Sequence, residues 1–219
     1  QQDARYGDFP RGSQIYMIGP EGGRPEMVTS MQISNMSVRL DNTVIYEDYK
    51  GYEDPLRKHH TSSVTRDIWM YVPSIDPSEG FRIDGNGTFT KLTSFNGEDR
   101  NPVFELGGNA YYYLSEQDGT LNIYYTDSLA DQLFNGGSIK SKQITFYKGN
   151  PVRYLSISHN GTLCYSYDGE LYTIKSGGQP EKVNIRIVTD QIEKESEIQT
   201  LTSGATRMAI SPEGKEIAI

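Results

Sequence analysis

The sequence has little that could cross-link it, anchor it in a membrane or bind nucleic acid. It contains one cysteine, Cys164, among 219 residues, so neither an internal disulfide nor a zinc site built from cysteines can form. No apolar run approaches the roughly 20 residues that a membrane-spanning helix needs, so no membrane insertion is predicted. The net charge of -8 comes without a stripe of lysine and arginine, and nucleic acid is therefore not an expected partner.

Helical periodicity is also scarce, because almost no stretch keeps apolar residues on one helical face for ten residues. The chain is instead rich in turn-forming and aromatic residues, with 22 Gly, 16 Tyr and 7 Phe. Residues 67–71 alternate as a strand does, with Ile68 and Met70 on one face and Trp69 and Tyr71 on the other. These features predict an all-β fold.

A short apolar sequence recurs at intervals of about 50 residues. It begins at Ile15, Ile68, Ile123 and Leu171. Similar downstream runs begin at Met27, Leu92 and Ile144. Four short strands per unit at this period are typical of a β-propeller, whose four-stranded antiparallel blades each need a neighbour on either face.

The strand pattern predicts a partial propeller of about three complete blades, at residues 32–95, 101–147 and 152–187. Half blades are predicted at both ends, at residues 13–30 and 205–219. Residues 191–202 are polar and charged, and they are predicted to form a linker or return segment. Since the chain begins and ends within the repeat, we expect it to be a piece of a longer protein.

Several motifs resemble those of known propeller proteins. Ser211-Pro212-Glu213-Gly214-Lys215 is similar to the Ser-Pro-Asp-Gly-Lys repeat of propellers in the tricorn, TolB and prolyl-oligopeptidase groups. More particular runs resemble the amino-terminal propeller region of bacterial tricorn-like serine proteases, over residues 12–219. These runs are residues 58–63, 66–69, 92–93, 97–102, 113–116 and 163–165.

The resemblance implies a domain order. Residues 1–190 would be the later blades of a first propeller, and residues 203–219 the start of a following blade or second propeller. In that family a PDZ-like domain and a catalytic module follow, so the parent protein would be a serine peptidase whose catalytic residues lie outside this chain. Its partners would be peptides or unfolded polypeptide and the other domains of the same protein. The resemblance favours the periplasm over the cytoplasm.

A polar insert contains two histidines and two serines, with two aspartates that could complete a triad: His59, His60, Ser62, Ser63, Asp54 and Asp67. The insert has no nucleophile elbow and no oxyanion-hole signature, so no catalytic residue is predicted. Adjacent histidines point apart on a strand, and a shared metal would need further ligands. We therefore expect no metal and no cofactor, and a loop ordered by hydrogen bonds at a blade edge.

A charged turn is predicted between two blades, at Glu98, Asp99 and Arg100. Its interpretation stays open between a structural tie of arginine to carboxylate and the lining of a central channel that touches peptide. The residues of this turn and of the polar insert are together the predicted candidates for a substrate channel or loop: His59, His60, Arg66, Glu98, Asp99 and Arg100.

Three functions are compatible with these observations. The chain could be the non-catalytic propeller portion of a tricorn-like protease, which gates or guides peptide substrate. It could be a TolB-like scaffold for protein–protein binding with no protease attached, or the size filter of an oligopeptidase with an α/β-hydrolase domain. The downstream reading frame separates them. Half-sheets at the ends would expose strand edges, so we also expect association between copies into a homo-oligomer.

Overall fold

The computed structural model describes residues 14–51, 62–74, 81–83, 85–105, 107–127, 129, 141–175, 177–186 and 207–218. The first hairpin pairs β1 (Ile15–Gly19) with β2 (Gly22–Thr29). Blade I comprises β3 (Ile33–Val38), β4 (Val44–Asp48), β5 (Ile68–Val72) and β6 (Thr88–Lys91). Blade II comprises β7 (Asp99–Phe104), β8 (Tyr111–Ser115), β9 (Asn122–Thr126) and β10 (Lys142–Gln143). Blade III comprises β11 (Arg153–Ile157), β12 (Leu163–Tyr167), β13 (Glu170–Ile174) and β14 (Glu181–Lys182). A last hairpin pairs β15 (Ala209–Ile210) with β16 (Ile217–Ala218).

Each blade is an antiparallel sheet whose four strands follow one another in chain order. This confirms the predicted fold class, an all-β propeller built of four-stranded blades. Adjacent blades meet through their first strands, since β7 packs beside β3 and β4, and β11 packs beside β7 and β8. Among the described residues, no helix is long and apolar enough to cross a membrane.

The alternation predicted for β5 is confirmed, and it explains how blade I is buried. Ile68 and Met70 join a core cluster with Tyr111 and Tyr113 of blade II. Tyr71 lies on the other face, in a cluster with Val28 of the first hairpin. One face of the sheet therefore contacts the next blade and the other contacts the preceding hairpin, as the two-sided burial of a propeller blade requires.

The sequence repeat corresponds to one repeated hydrogen bond. The backbone carbonyls of Ile68, Ile123 and Leu171 accept N–H bonds of 2.8 Å from Leu92, Ile144 and Val183. In blades I and II the hydroxyl oxygens of Thr93 and Thr145 also accept the N–H groups of Ile68 and Ile123, each at 2.9 Å. The apolar runs recognised in the sequence therefore occupy equivalent positions in the three blades.

The start of blade II differs from the prediction. The predicted charged turn at Glu98, Asp99 and Arg100 is wrong for its last two residues, because Asp99 and Arg100 are the first residues of β7 and are buried. Arg100 can be buried at the start of this strand because its charge is paired with the carboxylate of Glu98, and burial raises the pKa of Asp99 to about 7, which favours its neutral form.

The chain divides into two compact units, residues 1–183 and 184–219. In the second unit the Ser-Pro-Glu-Gly-Lys sequence forms the turn of the β15–β16 hairpin, where the N–H of Gly214 donates to the carbonyl of Ser211 at 2.9 Å. The segment predicted as a linker, 191–202, lies outside the described residues. The predicted domain boundaries stay predictions.

Candidate functional site

The first strand of every blade is interrupted at the same point. In each blade the first strand stops pairing with the second for two residues and then resumes. The last paired residue before the break is Ser34 in β3, Arg100 in β7 and Arg153 in β11. The first residue of each break has a left-handed backbone, with φ of 43° at Asn35, 47° at Asn101 and 55° at Tyr154. Such a bulge leaves backbone groups outside the sheet ladder.

A cavity of about 180 Å³ lies where the three bulges approach one another. Its polar lining consists of Asn35, Arg66, Arg100, Asn101, Arg153 and Tyr154. Aliphatic side chains, including Leu114 and Val152, complete the lining. The cavity thus combines three guanidinium groups with the exposed backbone of the bulges, and we call it the bulge cavity.

Glu47 of β4 holds one side of the bulge cavity in place. Its carboxylate is fully buried, forms an ion pair with Arg66, and accepts hydrogen bonds from the hydroxyl of Ser34 at 2.7 Å and the backbone N–H of Asn101 at 2.9 Å. Asn101 belongs to blade II, so this carboxylate joins two blades. The equivalent position in β8 is Leu114, which shows that blade packing by itself does not need an acid there.

Arg100 is held by a second carboxylate. Its Nε and Nη2 donate to Glu98 at 2.8 and 3.1 Å, and both side chains are buried. Burial lowers the pKa of Arg100, but the hydrogen bond and charge of Glu98 outweigh it, so the net pKa is raised. Glu98 also accepts the backbone N–H of Arg66 at 3.4 Å. Two arginines of the cavity are therefore fixed by two glutamates.

These arginines retain hydrogen-bond donors. Nη1 of Arg66 forms the ion pair with Glu47, and the guanidinium lies 5.5 Å from the centre of the Tyr49 ring. Its Nε is buried and has no acceptor among the described residues. Within the described part of the chain, the hydrogen bonds of the Arg100 guanidinium run from Nε and Nη2 to Glu98. Because each guanidinium already faces a carboxylate, the spare N–H groups suit an acceptor that need not bring a full charge, such as a peptide carbonyl.

The predicted candidates have different positions. Arg66 and Arg100 line the bulge cavity, and Glu98 supports both of them. Asp99 is fully buried and does not line the cavity. His59 and His60 lie outside the described residues.

Asp99 faces the packed interior between blades I and II. Neither of its carboxyl oxygens has a well-formed hydrogen bond among the described residues. Burial raises its pKa to about 7, opposed by the nearby hydroxyls of Ser115 and Thr93 and supported by the negative charges of Asp67 and Glu98. The equivalent strand positions in blades I and III are Ile33 and Val152, both buried aliphatic residues.

Sequence reasoning missed Glu47 and the three bulge residues. A signal for the bulges was present, because the repeat aligns Asn35, Asn101 and Tyr154, and asparagine is enriched in the left-handed region. The burial of Glu47 could not be predicted, since the pattern of β-forming residues in a strand does not show which charged side chain will be buried. Within the described part of the chain, no group of three His, Cys, Asp or Glu side chains could hold a metal.

A larger, more open groove of about 910 Å³ lies at the other end of the first strands. Equivalent residues Val38, Phe104 and Ile157 contribute apolar surface to it. Arg39 covers part of Phe104, with its guanidinium 5.7 Å from the ring centre, and donates to the carbonyl of Gly108 at 2.8 Å. Leu40 in the adjoining turn is fully exposed. The two ends of these strands therefore differ, because three arginines line the bulge cavity whereas a larger share of the groove surface is apolar. We call it the apolar groove, although Asp41, Glu105 and His159 also line it.

Solved structures with the same fold agree with this description of the chain as a β-propeller. The structure assigned as TolB from Agrobacterium tumefaciens aligns with a TM-score of 0.52 and 18% identity, over 78% of this chain and 56% of its own. The tricorn protease aligns with a TM-score of 0.51 and 16% identity, over 85% of this chain and 21% of its own. This chain thus spans about half the length of the one and a fifth of the other. At such identities the likeness shows the fold alone.

TolB from Acinetobacter baumannii aligns less closely, with a TM-score of 0.41 and 15% identity, over 93% of this chain and 53% of its own. No protein-family model and no curated protein matches the sequence.

Proposed function

We propose that this chain is the non-catalytic β-propeller portion of a tricorn-like, peptide-degrading serine protease. In this role it guides peptide or unfolded polypeptide toward a catalytic domain outside the chain. Its other partners are then the remaining domains of the same protein, a second propeller, a PDZ-like domain and the catalytic module, and its location is the periplasm. The observation that carries the proposal is the lining of the bulge cavity by Arg66 and Arg100, each held by a buried glutamate.

An extended polypeptide supplies what this cavity needs. Its carbonyl oxygens can accept from guanidinium N–H groups of Arg66 and Arg100 that Glu47 and Glu98 do not occupy, and its own N–H groups suit backbone carbonyls outside the ladder at the bulges. Glu47 and Glu98 fix the two arginines before a ligand arrives, so little side-chain entropy is lost on binding. Backbone recognition of this kind is independent of sequence, as a guide for varied substrates requires.

Peptide binding can be measured by fluorescence anisotropy with labelled, unstructured peptides. Arg66→Lys and Arg100→Lys keep a positive charge opposite their glutamates but remove the spare donors of the guanidinium fork. We expect each to weaken binding about tenfold, the effect of losing one hydrogen bond of about 1.4 kcal/mol. The matched control is Arg39→Lys, at the apolar groove, which should leave peptide affinity unchanged. Parent-like affinity in both cavity variants would contradict the proposal.

The non-catalytic part of the proposal has its own test. The purified chain, mixed with a panel of fluorogenic peptides, should release no fluorophore. Peptide turnover that disappears in Ser62→Ala or Ser63→Ala would overturn it, because it would place a nucleophile in the polar insert.

The apolar groove favours a second candidate function, a TolB-like scaffold that binds a folded protein. Leu40 is fully exposed beside Val38, Phe104 and Ile157, and an exposed apolar patch is typical of a protein-binding surface. If this function is the right one, Leu40→Asp should abolish capture of a folded partner, and the lysine variants of the bulge cavity should leave that capture intact.

A further inference from the structure

Tyr154 has a backbone conformation that tyrosine normally avoids. Its φ is 55°, in the left-handed region where a bulky side chain crowds the backbone. The two other blades have Asn35 and Asn101 at this point, a residue type that tolerates the conformation. The bulge therefore does not require tyrosine, and blade III has the least suitable residue of the three.

Among the described residues, the ring of Tyr154 makes no contact that would explain its presence. It is 73% exposed and takes part in no ring stacking and no hydrogen bond among the described residues. Other tyrosines of the same region do pack, as Tyr147 stacks on Tyr167 with ring centres 3.7 Å apart. A strained residue with an exposed ring beside a cavity is a candidate for a role in ligand binding.

The ring also lies at a site with binding chemistry. Tyr154 follows Arg153 directly and lines the bulge cavity together with Arg66 and Arg100. An exposed aromatic face next to fixed hydrogen-bond donors can hold an apolar group and a polar acceptor of one ligand at the same time.

We propose that Tyr154 is a specificity residue, which receives an aromatic or proline side chain of a polypeptide bound in the bulge cavity. The inference rests on the proposed peptide-binding function, and it adds a preference among peptides. The arginines bind the backbone of the ligand, and the ring of Tyr154 selects the side chain presented beside it. A flat, apolar side chain covers most of the exposed ring and gains most from the contact.

The test compares two fluorescein-labelled decapeptides of Gly and Ser, one with a central Phe and the other with Ala at that position. Tyr154→Asn should weaken binding of the Phe peptide by about three- to tenfold and leave the Ala peptide unchanged. The same variant should melt about 2 to 4 °C higher, because asparagine relieves the strained backbone. A gain in stability with a loss of affinity is the expected result. An unchanged Phe-peptide affinity, or a lower melting temperature, would show that the ring is structural.

Two further variants separate the possible outcomes. Tyr154→Phe keeps the ring and should retain the preference for the Phe peptide. Tyr16→Asn makes the same exchange at an exposed strand residue without positive φ, and should neither raise the melting temperature nor change affinity. If the lysine variants of Arg66 and Arg100 weaken both peptides and Tyr154→Asn weakens neither, this inference fails and the proposed function stands. If the parent binds neither peptide, both fail.

Discussion

At the scale of single residues, Asp99 is a carboxyl group at a position that holds an aliphatic side chain in both neighbouring blades. Because its pKa is raised in the folded chain from 3.8 to about 7, the folded state binds this proton more tightly than the unfolded state does. The resulting stabilisation is complete below about pH 4 and is lost as the pH rises through about 7. Blade I and blade II are thus held together best when Asp99 is neutral.

This predicts a falling free energy of unfolding between pH 5 and pH 8, by at most about 1.4 kcal/mol per pH unit. Asp99→Asn keeps the shape of the side chain and cannot ionise, so its stability should be nearly constant over that range. Urea unfolding at several pH values measures the difference. The control is Glu181→Gln, an exposed carboxylate in β14, which should keep the slope of the parent. A parent without slope would contradict the prediction.

Glu47 and Arg66 form a buried pair, and removal of one partner leaves the other without compensation. We expect Glu47→Gln to lower the free energy of unfolding by about 3 kcal/mol, and Arg66→Gln by a similar amount. The double variant should lose much less than the sum, since no charge is then left unpaired. Urea unfolding of the four proteins gives the coupling energy.

The exposed pair of Lys182 and Glu170 provides the comparison for this cycle. Glu170→Gln should leave the stability almost unchanged, because solvent screens this pair. Additive losses at Glu47 and Arg66 would show that the two side chains stabilise the fold independently.

At the scale of strands, a threonine hydroxyl supports the third strand in blades I and II. Thr145 accepts the N–H of Ile123 at 2.9 Å and donates to Asn122 at 3.0 Å, while buried. Thr145→Val keeps the shape but leaves a buried N–H without an acceptor, so we expect a loss of about 1 to 3 kcal/mol in the free energy of unfolding. Thr145→Ser should retain most of the stability, and Thr88→Val at an exposed position of β6 should change little. Equal stability of the valine and serine variants would show that the hydroxyl is unimportant.

The strands themselves could be predicted because they obey simple rules. In β5 the residues alternate between two buried faces, and the repeat of Ile68 at Ile123 and Leu171 marks equivalent strands. The start of β7 could not be predicted, since composition places Asp99 and Arg100 in a turn. Glu98 is adjacent in the sequence, but the burial of Asp99 depends on Thr93 of blade I and Ser115 of β8, which only the folded chain brings together.

The candidate site was predictable only in part for the same reason. Arg66 and Arg100 were recognised from local sequence runs, whereas Glu47 reaches the site through the pairing of β3 with β4. The conformation of Tyr154 could not be predicted from the sequence, because sequence patterns indicate the conformations that a residue favours. A tyrosine with positive φ is an exception to those preferences, and such exceptions concentrate at functional sites.

At the scale of the whole molecule, the first hairpin presents apolar side chains to solvent. Met17, Ile18 and Met27 of β1 and β2 are 43%, 55% and 50% exposed. Such a surface on a sheet edge promotes pairing with another chain. We therefore expect copies of this chain to associate at micromolar concentration, as seen by light scattering. Ile18→Lys should shift the mass toward the monomer, and Glu21→Lys in the adjoining turn should not. A parent protein that is monomeric throughout would contradict this.

At this scale the fold by itself does not determine the function. A propeller is a scaffold on which many activities occur, so the likeness to both TolB and tricorn structures leaves the choice between them to the site. The bulge cavity favours the peptide-guiding role and the apolar groove favours a protein partner. The lysine and aspartate variants above test the two ends of the first strands separately.

The order of strands within each blade has a consequence for synthesis of the protein. Because every blade is made of four consecutive strands, its hydrogen bonds join residues that leave the ribosome close together in time. Blade I can therefore close while blade II is still being translated. The carboxylate of Glu47 lacks the backbone N–H of Asn101 until blade II folds, so this contact between blades I and II is formed later than blade I itself. A nascent chain held at that stage would have Glu47 without its full set of partners, and the apolar face of blade I that blade II covers would still be exposed.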